Sequence, residues 1–459
     1  MLKKILLLFS FLIFAICPSY AAIFSYDFSK VISEQDFDGS SSISITVLDK
    51  NTKKVLYSKN ENKMLNTASA LKLYTFAAAL DTLGEDYKFE TAFYLSGGNL
   101  YLKLGADPLL TTNDLYELVR NLEKSVDFKT VKYIYIDDSI ISTTPYPDGW
   151  CIDDFWPTIA PISPYIIDGN KVKIRVVLAP YRDSMTIVQA DKYRFSFINQ
   201  LQISDVTDID ISKNHADMQN LITISGKIAD DSDIYIPVSN PKTLFVARLE
   251  DAFGKYKIPY SDKFYFKATP LNAKKVAQVN HTIEDVSVPI LKHSDNFSSE
   301  VLFRVAGNAY AKKQGLKPQI AGSSLGTTKN AILMFNDFYT KANLDMKYIK
   351  IVDGSGVSRY NAASSKWLAQ ALLFLTKKYE LKKYMEGADE GTLKKRLRYL
   401  KGNIYAKTGT HRGLSSLVGI MSTKDDKKVT FAIVVQCFSK STSLLKAFED
   451  DLVDCIFNL

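Results

Sequence analysis

The order in which hydrophobic and polar positions repeat divides the chain into three parts. After residue 22, "IFSYDFSKVISEQDF" has the spacing of a short helix. "SISITVLDKNTKKVLYSKN" alternates, turns at Asp49-Lys50-Asn51 and alternates again, the pattern of a β-hairpin. "NTASALKLYTFAAALDTLG" then predicts an almost wholly apolar helix closed by Gly84. The last third mirrors this start: "NIYAKTGT", "LSSLVGIMST" and "KVTFAIVVQC" read as strands joined by polar turns, and "STSLLKAFEDDLVDCIFNL" as a closing amphipathic helix. Strands at both ends of the chain predict one antiparallel sheet assembled from both termini. "DNFSSEVLFRVAGNAYAKKQG" and "SSKWLAQALLFLTKKYE" are expected as helices covering its faces.

Between about residues 91 and 265 short β-prone runs take over, among them "GNLYLKLGAD", "VKYIYIDDS", "NKVKIRVVLAP" and "NLITISGKI", and few helices are expected. A chain of 459 residues exceeds one ordinary core. The pattern therefore predicts an α/β (α+β) domain from residues 22–90 and 266–459, with a β-rich insertion at 91–265. Within the insertion, about 91–172 plus 241–265 and 173–240 are expected as two nested parts. There is no internal repeat and no low-complexity linker.

The N-terminus departs from this globular pattern. In "MLKKILLLFSFLIFAICPSYAA", Lys3 and Lys4 precede an apolar run, and Ser19-Tyr20-Ala21 is a small-x-small cleavage site. Residues 1–21 thus read as a secretory leader, and a dozen apolar residues is short for a membrane anchor. Ile16 ahead of Cys17 argues against a lipid-modified cysteine. Removing the two lysines of the leader lowers the formal charge from +8 to +6, a diffuse basic excess suited to an anionic polymer or surface rather than to nucleic acid. The three remaining cysteines give no disulfide framework, although a Cys437–Cys455 bridge is open. Four scattered histidines without HExxH or a Cys/His cluster point to no metal and no cofactor.

Three short motifs carry the chemistry. S-x-x-K occurs at Ser69–Lys72, Ser239–Lys242 and Ser443–Lys446, and only Ser69 stands at the start of an apolar helix. Taken alone, Ser69 reads as an N-cap or first-turn serine, while Ser239 in a Pro-containing turn and Ser443 on the last helix read as surface residues. S-x-N occurs at Ser58, Ser212 and Ser294; Ser294-Asp295-Asn296 leads into an apolar-striped helix. K-T-G occurs once, Lys407-Thr408-Gly409, inside an expected strand, where a glycine marks a bulge or a close approach. In this order, S-x-x-K, S-D-N and K-T-G form the set found in penicillin-binding proteins and class A β-lactamases.

The chain resembles the S13 family of D-alanyl-D-alanine carboxypeptidases, the penicillin-binding protein 4 type. The likeness runs through "ASALKLYTFAAALDTLGEDYKFET", "NLYLKLGADPLL" (with Ala106 in place of a family glycine), "PDGWCIDDF", "IVDGSGVSRYN" and "EGTLKKRLRYLKGNIYAKTGTHRGLSSLVGIM". The 225 positions between Ser69 and Ser294 (294 minus 69) suit that family's large insertion. The resemblance implies a penicillin-binding-protein/serine β-lactamase-like fold. It also implies a periplasmic serine peptidase that hydrolyses D-Ala-D-Ala, and D-Ala–diaminopimelate cross-links, in peptidoglycan stem peptides.

A serine hydroxyl needs a base to become a nucleophile at neutral pH. Lys72, one turn on, can serve once its pKa is lowered by apolar surroundings and by a second cation at Lys407. The resemblance further implies that the backbone N–H groups of Ser69 and Thr410 hold the oxyanion. On the same ground Ser294 passes a proton to the leaving amine, Asn296 holds a substrate amide, and Lys407, Thr408 and Gly409 line the site of the terminal carboxylate. Asp154 matches an acidic residue facing the free amine of diaminopimelate, with Asp153 the alternative or the pair a loop turn. Arg359 matches a substrate-side arginine, or else serves a structural ion pair. β-Lactams are implied as acylating inhibitors, with no nucleic-acid partner, at most peripheral membrane association and an open oligomeric state. Two rivals remain at this level. A β-lactamase would need a group activating the deacylating water, and no E-x-x-x-N segment stands in the expected place. A non-catalytic peptidoglycan-binding protein need not keep every motif residue.

Overall fold

The computed structural model describes residues 27–34, 41–144, 146–189, 191–213, 220–260, 263–318, 320 and 322–459. The leader expected at residues 1–21 lies outside them. Among the described residues no helix is long and apolar enough to cross a membrane.

One six-stranded antiparallel sheet organises the site. Its order is Glu386–Gly387, Ile404–His411, Leu414–Ser422, Lys428–Gln436, Ser42–Asp49 and Val55–Lys59. Strand Ser42–Asp49 bonds Lys428–Gln436 along its whole length, from Ser42 opposite Gln436 to Asp49 opposite Val429, so the two ends of the chain do share one sheet. Its central strands are buried on both faces, as a sheet covered on both sides requires, with Ser44 and Thr46 satisfied by Ser365. Helix Thr442–Phe457 seals one face with Leu445, Phe448, Leu452 and Ile456. The other face packs against helix Ser365–Lys378, with Leu71–Leu83, Asn296–Lys313 and Thr328–Lys341 beyond it. Tyr74, Phe303, Phe335, Tyr339 and Trp367 are fully buried in this core. Each side chain of this size stabilises the fold by about 1.5–3 kcal/mol.

The chain leaves this unit on strand Lys88–Ser96 and returns on Lys274–Thr282, which pair antiparallel at the edge of a second, five-stranded sheet. Two small three-stranded sheets follow, from residues 171–178, 185–188 and 232–237 and from 196–203, 208–213 and 221–228. The expectation of few helices between 91 and 265 is corrected: Thr112–Ser125 and Pro241–Lys255 are helices, packed on this second core. The first carries a helical stripe of Leu115, Leu118, Val119 and Leu122 and a capping box between Thr111 and Asp114. In the second, Pro241 opens the first turn and Asn240 caps it, so Ser239 precedes a helix rather than sitting in an isolated turn. Cys437 and Cys455 are both buried and form no disulfide.

Candidate active site

The site is assembled where four segments meet. Ser69 lies in a single 3₁₀ turn, Ala68–Ala70, that runs straight into helix Leu71–Leu83. The turn is tight: Ala68 adopts a left-handed φ of 43°, a conformation that costs an alanine about 1–2 kcal/mol. Two glycines clamp it. A Cβ on Gly356 would stand 2.0 Å from the Ala68 carbonyl oxygen, and one on Gly409 would stand 2.4 Å from that of Thr67. The close approach expected of the glycine in K-T-G is thus an approach to the serine's own turn. Ser416, on the next strand, donates to the Thr67 carbonyl (2.6 Å) and fixes the spacing.

Lys72 is fully buried, while Ser69 is partly open to solvent. The Lys72 ammonium has three protons and uses each: Nζ donates to Ser69 Oγ (2.8 Å), Asn296 Oδ1 (2.6 Å) and the Ser355 carbonyl (2.6 Å). Burial, and next the charge of Lys407, push its pKa down to about 7, against the pull of Asp353, Asp295 and Glu300. Near neutrality Lys72 therefore exchanges between ammonium and free amine, and the amine can turn its lone pair toward the serine hydroxyl at the same 2.8 Å.

Asn296 is the first residue of helix Asn296–Lys313, whose N-cap is Asp295, bonded to the Ser298 N–H (2.6 Å). Ser294 sits just ahead of that cap with a φ of 58°. Lys407 is buried on strand Ile404–His411, its pKa lowered by burial to about 8 with Glu386 opposing. Thr408 is nearly buried and Thr410 exposed on the same strand. Asp154 and Arg359 are partners of each other: Arg359 Nε and Nη2 grip the two carboxylate oxygens at 2.7 and 2.6 Å. His411 joins them, with Nδ1 3.9 Å from Asp154 and Nε2 2.9 Å from the Gly356 carbonyl. The Asp153 side chain lies outside the described atoms.

The motifs do not announce the support beneath Lys72. Glu300, one turn after Asn296 and fully buried, accepts the N–H groups of Gly354 (2.7 Å) and Ser355 (2.8 Å), and so aims the Ser355 carbonyl at the lysine. Burial, with Asp353 adding to it, raises the Glu300 pKa to about 7 against the pull of Arg304. Asp353 organises the following loop, accepting from the N–H groups of Gly356 and Ser358, from Asn361 and from Trp150 of the inserted region. An acid four residues ahead of an arginine in an otherwise apolar helix, and the run Asp353-Gly354-Ser355-Gly356, were the available signals.

Among the described residues no group of His, Cys, Asp and Glu is placed to hold a metal ion. The arrangement instead suits acyl transfer: a hydroxyl on a strained turn, a lysine able to give up its proton, and a buried cation beside them.

Known proteins share the sequence pattern and the fold. The D-alanyl-D-alanine carboxypeptidase DacB of Haemophilus influenzae is 23% identical over 92% of this chain and 90% of its own length. A D-alanyl-D-alanine carboxypeptidase of Actinomadura sp. is 24% identical over 89% of this chain and 80% of its own. The crystal structure of penicillin-binding protein 4 from H. influenzae shares the fold with a TM-score of 0.76, at 22% identity, over 94% of this chain and 99% of that one. Residues 27–456 match the model of the D-Ala-D-Ala carboxypeptidase 3 (S13) family, and the chain, a serine-type peptidase, belongs to that family.

Proposed function

We propose that the protein acts outside the cytoplasmic membrane, in the periplasm, on the D-Ala-D-Ala ends of peptidoglycan stem peptides through an acyl-enzyme on Ser69. The observation that carries this reading is the 2.8 Å contact between Ser69 and a buried lysine whose pKa lies near 7. Neutral Lys72 takes the hydroxyl proton as Ser69 Oγ attacks the carbonyl of the penultimate D-Ala. The oxyanion is held by the N–H groups of Ser69 and Thr410, a reading supported by the close approach of Gly409 to the Thr67 carbonyl and the Ala70 N–H on either side of Ser69. When the C–N bond breaks, the proton passes from Lys72 by way of Ser294 to the departing D-Ala amine. Water then attacks the ester, releasing the shortened peptide and restoring Ser69. Asn296 holds a substrate amide, and Lys407 and Thr408 receive the terminal carboxylate. A β-lactam, entering by the same attack, has no leaving group that departs and remains as the acyl adduct.

D-Ala–diaminopimelate cross-links are proposed as further substrates, because the scissile bond presents the same acyl half. Asp154, held by Arg359, retains lone pairs for a charged hydrogen bond from the free amine of diaminopimelate. Mass spectrometry of the protein after benzylpenicillin treatment tests the central step. The adduct is expected on the peptide containing Ser69; an adduct at Ser239 or Ser443 with Ser69 unmodified would overturn the assignment.

A further inference from the structure

Beside the proposed carboxylate site lies a buried acid that none of the steps above uses. Glu386 belongs to the two-residue edge strand and pairs with Ala406, the neighbour of Lys407. It is fully buried, and its Oε2 accepts three hydrogens: the Thr392 hydroxyl (2.6 Å), the Thr392 N–H (2.8 Å) and the Leu393 N–H (3.2 Å). Oε1 is buried with no hydrogen-bond partner. The turn Gly391–Leu393 wraps the carboxylate so closely that a Cβ on Gly391, at φ 46°, would stand 2.8 Å from Oε1. On its outer side, Thr392 Oγ1 is 2.5 Å from Thr408 Oγ1.

Proton counting makes this contact informative. Thr392 has one hydroxyl proton, and it goes to Glu386. The short contact to Thr408 then requires the Thr408 proton to lie on Thr392, which leaves only lone pairs facing outward. An arriving carboxylate cannot bond to lone pairs. With the two hydroxyls still in contact, it can take the Thr408 proton only if Thr392 turns its own proton from Glu386 to Thr408. Glu386 tolerates the loss, since it keeps two backbone N–H groups and the neighbouring Lys407 charge.

We propose that Thr392, anchored by Glu386, is a positioning residue of the carboxylate site, whose hydroxyl reverses direction on binding so that Thr408 donates to the substrate's terminal carboxylate. The inference rests on the reading that Lys407 and Thr408 receive that carboxylate.

The test compares a peptide ending in D-Ala-D-Ala with the same peptide carrying a C-terminal carboxamide, hydrolysed by the full chain and its variants. Thr392→Val should lower kcat/KM for the carboxylate peptide by a few-fold to about tenfold, mainly through KM, the loss of the neutral hydroxyl–hydroxyl bond that points the Thr408 proton at the carboxylate. The carboxamide peptide, whose uncharged oxygen accepts a weaker hydrogen bond from Thr408, should lose distinctly less, and Thr392→Ser should restore the carboxylate peptide. Thr392 is exposed, so neither substitution alters apolar packing, although Thr392→Val takes one of its three hydrogen bonds from the buried Glu386. Equal losses on both peptides, no loss on either, or failure of Thr392→Ser to restore activity would overturn the proposal. Lys407→Ala separates the two levels. If it preferentially slows the carboxylate peptide while Thr392→Val does not, the inference alone fails; if it slows both equally, the carboxylate reading fails.

Discussion

In the small sheets of the inserted region, Lys173 meets Asp233 at 2.6 Å and Arg175 meets Asp231 at 3.5 Å, every one of the four side chains at least 36% exposed. In the catalytic unit, Lys72, Glu300, Asp353, Glu386 and Lys407 are entirely or almost entirely out of water. The first arrangement is that of solvated ion pairs, each worth about 0–1 kcal/mol. The second is costly, since a buried charge destabilises by several kcal/mol unless it is closely partnered. These groups are partnered, and four of the five have displaced pKa values: Lys72 and Lys407 are pushed down, Glu300 and Glu386 up. Such a cluster of displaced pKa values marks the place where the fold gives up stability for chemistry.

The contrast breaks most decisively at Lys72. Replacing Lys72 with Ala should abolish acylation by peptide and penicillin alike, a loss of about 10²–10⁴-fold or more, since it removes the base. Adduct formation followed by mass spectrometry reads this directly, and retained acylation would return Lys72 to a structural role. Lys407→Ala should weaken carboxylate-bearing ligands by about 10–100-fold, the worth of a charge-assisted hydrogen bond. Competition between benzylpenicillin and a neutral acylating ester would show whether the loss follows the carboxylate.

Asp154→Asn tests an intermediate case, a partly buried acid already paired with Arg359. A peptide with a free diaminopimelate amine should lose about 10–100-fold in kcat/KM, while an acetylated-lysine analogue is cleaved as before. Parallel losses would assign Asp154 to holding its loop.

Much of this site is legible in the sequence because its residues act through side chains at fixed spacings. Ser69 and Lys72 lie one turn apart, Ser294-Asp295-Asn296 opens a helix, and Lys407-Thr408-Gly409 occupies a strand. The apolar flank of Lys72 was likewise readable, and with it the direction of its pKa. What the sequence concealed acts through the backbone or through distant partners. The Ser355 carbonyl has no residue-type signal, and Glu300 is known as its support only once residues 300 and 354–355 are adjacent. Thr392 stands 16 positions from Thr408, in a turn without regular period. The helix Thr112–Ser125 is a different case, since its 3.6-residue stripe was present but short and flanked by β-prone runs.

Two smaller effects sharpen the comparison at its outer end. Ala106 is held at φ 46° but is buried in the core, so in Ala106→Gly the relief of backbone strain and the loss of a buried methyl should nearly cancel, with a net change of no more than about 1 kcal/mol, read in Tm. Arg175→Ala should change stability by no more than about 0.5 kcal/mol, as expected of an exposed pair.

The most direct test of a lysine base lowered by burial and by Lys407 is the pH dependence of Ser69 acylation by benzylpenicillin in the natural protein and in Lys407→Ala. In the natural protein the rate should rise with pH through a limb centred near 7, as Lys72 gives up its proton. Removing the neighbouring cation relieves the repulsion that favours the amine, so the limb should move to higher pH in the variant. A limb at the same pH in both proteins, or one lying near the ordinary lysine value in the natural protein, would contradict the account.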